Sequence, residues 1–249
     1  MTINAISFNI RYCDDADGNT ICERAPRLKK VISKYDADVI GFQECTPPWE
    51  PILQDYYSAE YDIFGKHRGE DDVESAQILW RKDKFDCIKT GYFWLSDTPD
   101  VPTREWDELC HCYRICIYAI LEDRRDGKRF VVMNTHFGFG DKGQIKSVEL
   151  VYDYSIKISP YPTFVLGDFN MKPDSAGYAA MTAHFTDANV ARDLSPTFHG
   201  YFREKAKPAH IDYCFVDQNV IPVDQKIIDD LVDGKCPSDH YGLSITLQI

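Results

Sequence analysis

Residues 163–170 read TFVLGDFN. The apolar start is too short for a helix and is closed by glycine, which marks a buried strand. The telling residues stand at its end: a carboxylate, Asp168, and an amide, Asn170. The same grammar recurs along the chain. AISFN (5–9) ends in Asn9, with Arg11 two residues on. DVIGFQE (38–44) ends in Glu44, and RFVVMNTH (129–136) ends in His136. HIDYCFV (210–216) begins its strand at Asp212, and PSDH (237–240) sets Asp239 and His240 just before the final apolar run. Strand termini project side chains onto one rim of a sheet, where sites on rigid scaffolds are commonly built.

Taken singly, each of these residues has a structural reading. Asn9 can end an edge strand, and Glu44 can enter the turn of Cys45-Thr46-Pro47-Pro48. His136 can be a satisfied structural histidine, Gly167-Asp168-Phe169-Asn170 an Asx-turn, and Asp239 the cap of a turn. Together they make an oxygen-rich set without a thiolate. Such a set suits Mg²⁺ or Mn²⁺ rather than a structural zinc.

Short β-branched or aromatic runs continue from Ile3–Ile10 to Gly242–Ile249, about ten in all. Helical patterns stand between only some of them. One opens at Pro26, with Leu28, Val31, Ile32 and Tyr35 on a stripe; a second covers about Lys142 to Ser159; a third starts at Asp174 as N-cap. Strands outnumber helices. The expected fold class is therefore α/β, two packed mixed sheets flanked by helices rather than one doubly wound parallel sheet.

The chain has 249 residues, 44% hydrophobic and 27% charged, and no repeat or flexible linker divides it. One domain over 1–249 is the expectation. The longest apolar run, Ile115 to Leu121, is far below the ~20 residues of a membrane helix. The start, MTINAISFNIR, reads as a strand without a basic n-region, so no signal peptide is expected. The net charge of −12 repels phosphate backbones and disfavours a bulk nucleic-acid binder. Nine cysteines, an odd number without framework spacing, indicate free thiols in a reducing cytoplasm.

The segments SFNIR, GFQE, NTHF, GDFN, TFHG, IDYCFV and PSDH, in this order, resemble the endonuclease/exonuclease/phosphatase superfamily, the deoxyribonuclease-I-like fold. The likeness runs from Ser7 to His240, and GYFWLSDTPDVP with TFHG is similar to a bacterial branch of uncharacterised hydrolases in it. The resemblance implies a four-layer sandwich of two mixed β-sheets covered by helices. It also implies roles: Glu44 as main metal ligand, with Asn9 and Asp239 supporting the metal directly or through water. Asp168 would orient or deprotonate the attacking water, and Asn170 would hold that water or a phosphate oxygen. Asp212 and His240 would form a carboxylate–imidazole pair beside the phosphorus. His136 would donate to a non-bridging oxygen, oriented by Glu74 of ESAQILWR. Arg11 and Arg114 would contact phosphate.

A Mg²⁺- or Mn²⁺-dependent phosphoesterase using water attack is the resulting expectation. Its substrate would be a phosphorylated small molecule, a nucleotide or a short single strand, with no membrane and no obligate protein partner. A true nuclease, exonuclease or deadenylase-like, is the nearest rival, and a catalytically silent phosphate-binding module is the rival of another class. The chain departs from the bacterial branch at Gly138, where an acidic residue tends to follow NTHF. Three further features stay open: Cys110-His111-Cys112 with Cys116 as metal ligands or incidental thiols; Arg203, Lys205 and Lys207 as a basic flap or a solvated loop; and Trp94 and Trp106 as a stacking wall or core.

Overall fold

The computed structural model describes residues 1–249. Twelve strands form two six-stranded sheets. The first contains β1 (Thr2–Asn9), β2 (Val39–Cys45), β3 (Tyr61–His67), β4 (Ser75–Arg81), β11 (Ile221–Ile228) and β12 (Gly242–Gln248), in the order β11-β12-β1-β2-β4-β3. The second contains β5 (Phe85–Trp94), β6 (Ile115–Asp123), β7 (Arg129–His136), β8 (Thr163–Asp168), β9 (Thr186–Asp187) and β10 (Asp212–Val216), in the order β5-β6-β7-β8-β10-β9. Each sheet holds one parallel pair, β1–β2 and β7–β8, and the remaining pairs are antiparallel. A parallel pair needs a crossover. Helix α1 (Ile21–Ile32) supplies it in the first sheet and α3 (Asp141–Ile158) in the second; α2 (Trp49–Tyr57) and α4 (Ala176–His184) complete the helices.

Strand periodicity sorts the side chains into three apolar layers. Ile3 and Ala5 of β1, Phe164 and Leu166 of β8, Phe130 and Val132 of β7, and Leu243 and Ile245 of β12 pack between the sheets. Ile6 and Phe8 of β1 and Ile40 and Phe42 of β2 meet Leu28 and Val31 of α1 and Trp49 and Leu53 of α2 on the outer face. Met133, Val165 and Phe215 meet Val148 and Val151 of α3 and Met181 of α4 on the other outer face. The result is a helix–sheet–sheet–helix sandwich, as expected.

Several local readings change. Helix α1 begins at Ile21, not Pro26, because Thr20 and Glu23 form a capping box; Pro26 lies inside the helix. Ser175, not Asp174, caps α4, its Oγ accepting from Tyr178 N at 3.2 Å. Helix α2 was hidden by the prolines of TPPWEP, yet Pro51 falls in the first turn, where no N–H is needed. No helix is long and apolar enough to cross a membrane.

Candidate active site

Strand parity explains how the polar residues meet. On β1 the inward-facing residues Ile3 and Ala5 are in phase with Ser7 and Asn9. On β7, Phe130 and Val132 are in phase with Asn134 and His136, and on β8 Phe164 and Leu166 are in phase with Asp168. Asp212 continues the inward phase of Cys214 and Val216, and Glu74 that of Ala76 and Ile78. Each strand's last inward residue at this end is polar, so the inter-sheet core opens there into a polar cleft of about 560 Å³. The parallel strands β1, β2, β7 and β8 all deliver their carboxyl ends to it.

Glu44 is the exception to parity. The β2–β4 register shifts between Phe42 and Cys45, and Glu44 adopts φ 63°. This bulge turns onto the cleft a carboxylate that strict alternation would send outward. Arg11 (φ 65°) and Asn170 (φ 51°) are also left-handed. Asparagine tolerates that region, whereas a Glu or Arg backbone held there stores of order 1–2 kcal/mol. Three of the nine left-handed non-glycine backbones in the chain thus hold side chains of this rim.

Asn9 organises the floor. Its Nδ2 donates to Glu44 Oε1 at 3.0 Å and to Asp168 Oδ2 at 2.9 Å. Its Oδ1 accepts from Arg11 N at 3.0 Å, which fixes the amide's orientation. Asn9 thus presents donors to the two carboxylates, and its oxygen is turned away from them. Below lies a sealed polar layer: Gln43 donates to Asn134 Oδ1 at 2.7 Å, and Asn134 donates to Phe42 O and Gln77 O at 2.8 Å. These bonds tie the two sheets together under the site, a role the sequence reading did not assign.

His240 Nδ1 lies 2.9 Å from Asp212 Oδ2, and its Nε2 lies 3.7 Å from Asp168 Oδ2. The Ile211 and Asp212 amides donate to Thr197 Oγ1, which holds Asp212 in place. Burial opposes a charge on His240, but Asp212, with Asp168 and Asp239 behind it, overrides that and pushes the imidazole up to about 10. Burial, then the neighbouring Asp212 charge, raises Asp168 to about 7. Burial likewise raises Asp239, with the Glu44 charge adding to it.

His136 is arranged differently from the expectation. Asn170 Nδ2 donates to Phe137 O at 3.0 Å and faces His136 Nε2 at 3.1 Å, so Nε2 accepts and the neutral ring carries its proton on Nδ1. Nδ1 has no partner. The expected hydrogen bond from His136 to Glu74 is not formed: Glu74 Oε1 lies 2.8 Å from Arg68 Nη2, and this ion pair engages it instead. Burial and the charges of Arg114 and Arg68 drive His136 well below the usual imidazole range. Burial lifts Glu74 to about 7 against the pull of Arg68.

Arg11 and Arg114 both line the cleft. Arg11 Nε bonds Asp15 Oδ2 at 2.9 Å and stands 3.6 Å from Asp239 Oδ2. Arg114 Nε bonds Asp107 Oδ2 at 3.0 Å, leaving Nη1 without a partner. Gly138 explains Asp107. A Cβ at position 138 would stand 2.9 Å from the Cα and Cβ of Asp107, so glycine there makes room for this carboxylate. Asp107 Oδ1 also accepts from the Cys110 and Phe139 amides, which closes the loop over the cleft. The sequence reading missed Asp107 and Arg68, whose ion-pair partners lie in their own loops, where no strand or helix periodicity marks them. Of the proposed flap, Lys207 lines the cleft, while Arg203 pairs with Asp15 at 3.0 Å. Cys110 and Cys112 line the cleft, whereas Cys116 packs in the outer core. Trp94 and Trp106 are buried rather than forming a cleft wall.

Ligand-competent atoms of Glu44, His136 and Asp168 lie within 4.8 Å of one another, as do those of Asp168, Asp212 and His240. Asp239 stands outside both groups. A buried Asp168 beside Asp212, with Glu44 tied to it through Asn9, is a crowd of like charge that a hard cation would relieve. The donors therefore fit a divalent ion.

The profile of the Endonuclease/Exonuclease/phosphatase family matches residues 6–240. The chain belongs to this family. Its members hydrolyse phosphoester bonds and are generally dependent on divalent metal. An endonuclease/exonuclease/phosphatase from Bacteroides vulgatus is 28% identical, with a TM-score of 0.91 over 100% of this chain and 99% of its own. A mannosyl-6-phosphatase from Bacteroides thetaiotaomicron is 27% identical, with a TM-score of 0.86 over 99% of this chain and 100% of its own. TDP2 of D. rerio, complexed with a single-strand DNA product, shares the fold at 19% identity and a TM-score of 0.76, over 100% and 99% of the chains. Two uncharacterised mimivirus proteins are 27% and 23% identical over 59% and 68% of this chain; the aligned parts span only 58% and 30% of their lengths.

Proposed function

We propose that this family member is a Mg²⁺- or Mn²⁺-dependent phosphoesterase that hydrolyses small phosphorylated molecules by direct water attack, with residues 1–249 as one catalytic unit. The observation that carries the reading is the shared floor in which Asn9 holds Glu44 and Asp168 together while His240, backed by Asp212, faces Asp168. Glu44 and Asp168, with His136 beside them, would hold the ion, and Asp239 would support it through water. When bound, the ion neutralises phosphoryl charge and favours ionised water.

The protein groups supply the rest. Asp168 accepts the proton of the attacking water. Asn170, fixed through its backbone N–H to Asp168 Oδ1 at 3.0 Å, orients that water. His240 is an imidazolium at neutral pH, and its Nε2–H is aimed at charge developing on a phosphoryl oxygen. Arg11 and Arg114 contact the phosphate. The new bond joins the water oxygen to phosphorus, the bond from phosphorus to the alcohol oxygen breaks, and the alcohol takes up a proton as water loses one. Small substrates are favoured over polymers because the net charge of −12 opposes a long phosphate backbone. The nine free thiols support a reducing, cytoplasmic setting.

The test is a Mg²⁺/Mn²⁺ screen of wild type and Asp168→Ala on p-nitrophenyl phosphate, bis-p-nitrophenyl phosphate, nucleotides and a labelled single-stranded oligonucleotide. Metal-dependent turnover of small esters, lost in the variant, is expected. Selective, salt-sensitive cleavage of the oligonucleotide would make the protein a nuclease instead. Retention of configuration at a chiral phosphorus would overturn direct water attack.

A further inference from the structure

One flank of the cleft has no task in this chemistry beyond the phosphate contact of Arg114. The segments leading into β4 and β6 bring Arg68, Glu74 and Arg114 to the cleft wall, and the β7–α3 connection adds Phe139. Arg68 is only 3% exposed. Its Nη2 lies 3.0 Å from Asp72 Oδ1 and 2.8 Å from Glu74 Oε1, while Nη1 has no partner. Arg114, 5% exposed, repeats the pattern: Nε on Asp107, Nη1 without a partner. A buried guanidinium N–H without an acceptor is unfavourable, so two on one cleft wall mark places where a ligand oxygen belongs.

The charge balance says which oxygen. Arg68 and Arg114 are matched by Asp72, Glu74 and Asp107, so the flank offers a second anionic group no net attraction. A hydroxyl is served by both partners of such a pair: it accepts from a guanidinium and donates to a carboxylate. The Phe139 ring, 6.0 Å from Arg114 Cζ, adds an apolar face for C–H groups. The flank is also held in advance of binding. Arg68 O accepts from Trp94 Nε1 at 2.6 Å, and Arg68 N bonds Glu74 O at 2.9 Å.

We infer that this flank is a specificity subsite for a polyhydroxylated leaving group, so that the substrate is a sugar-type phosphomonoester whose hydroxyls are read by the Arg68–Glu74 pair. The inference rests on the phosphoesterase reading above, with Arg114 shared between phosphate and hydroxyl.

The experiment compares kcat/KM for glucose 6-phosphate or mannose 6-phosphate with that for cyclohexylmethyl phosphate, which keeps a ring and a primary phosphoester but has no hydroxyl. p-Nitrophenyl phosphate is run in parallel. Wild type is expected to prefer a hexose phosphate by at least about 100-fold, since sites built to bond hydroxyls reject analogues lacking them. Arg68→Met should reduce that preference to within about 10-fold. Arg68→Lys, which keeps the charge but loses the planar fork, should fall between and carries the comparison if Arg68→Met does not fold. Equal use of the two esters by wild type, an equal drop on both in the variants, or a strong preference for a sugar bisphosphate would overturn the inference. Absence of metal-dependent turnover on every ester, p-nitrophenyl phosphate included, would instead overturn the underlying activity.

Discussion

Both flanks of the cleft bury a cation against a carboxylate, but they are built in different ways. On the β10–β12 flank, His240 meets Asp212 at 2.9 Å, and Asp212 lies in inward phase on its strand. On the β4–β6 flank, Arg114 meets Asp107 at 3.0 Å, and Arg68 meets Asp72 at 3.0 Å; these residues lie beyond the strands. In the first pair the imidazole of His240 titrates, at about 10, and faces Asp168. The second pairs hold permanent guanidinium charge and face the space beside it. Asp168 and Asp212 stand at strand ends, where geometry is rigid, whereas the two guanidiniums stand on loops that can be rebuilt without disturbing the sheets. Gly138 and Asp107 show how closely two such loops pack: a side chain at 138 would meet Asp107.

The comparison breaks first at the floor. Glu44→Ala and Asp168→Ala should each lower kcat by about 10³-fold or more with Mg²⁺ saturating, because each removes both an ion ligand and a fixed charge. Unchanged turnover in Glu44→Ala would remove the site from this rim altogether. Asp212→Asn should come next, with a loss of about 10²–10³-fold in kcat, since His240 would lose the partner that keeps it cationic. Its loss should grow with rising pH as the unsupported imidazole deprotonates, which a pH–rate profile would reveal.

Asp107→Ala sharpens the contrast. It should raise KM about 10-fold with kcat changed less than about 3-fold, because it frees Arg114 and the Cys110 loop without touching the floor. A kcat loss as large as that of Asp212→Asn would show that the two flanks are not divided between chemistry and recognition.

The smallest expected effects are on the stability of the metal-free protein. Asp168 sits at about 7 when folded, above a carboxylate's ordinary ~3.9. The folded state therefore holds a proton that the unfolded chain has lost, and stability falls as pH rises from about 4 to 7. His240 has the same sign in a later window: its contribution is complete below about 6.5 and is lost as pH rises towards about 10. Asp168→Asn should flatten the first window and raise the metal-free thermal midpoint at pH 7.5 by about 2–4 °C per kcal/mol recovered. Asp212→Asn should flatten mainly the second, and narrow the first in part because the Asp212 charge helps raise Asp168. Thermal melts across pH, with chelator present, check both.

The sequence alone was enough for the α/β class, the four layers implied by family resemblance, and the residues that gather on the floor. Asn9, His136, Asp168 and Asp212 were legible because strand alternation is local: each closes an apolar run whose phase fixes its face. Even there, the β2 bulge that re-aims Glu44 and the direction of the Asn9 amide belong to pairing between distant strands. The prolines around α2 concealed a helix because local propensity weighs against it, while burial of Trp49 and Leu53 against the first sheet decides for it. The tertiary structure alone decided that Glu74 turns to Arg68 rather than to His136, and that Asp107 fills the space left by Gly138. Arg68 and Glu74 share one loop, while Asp107 and Gly138 come from two, and nothing periodic in the chain encodes either meeting; the folded loops do.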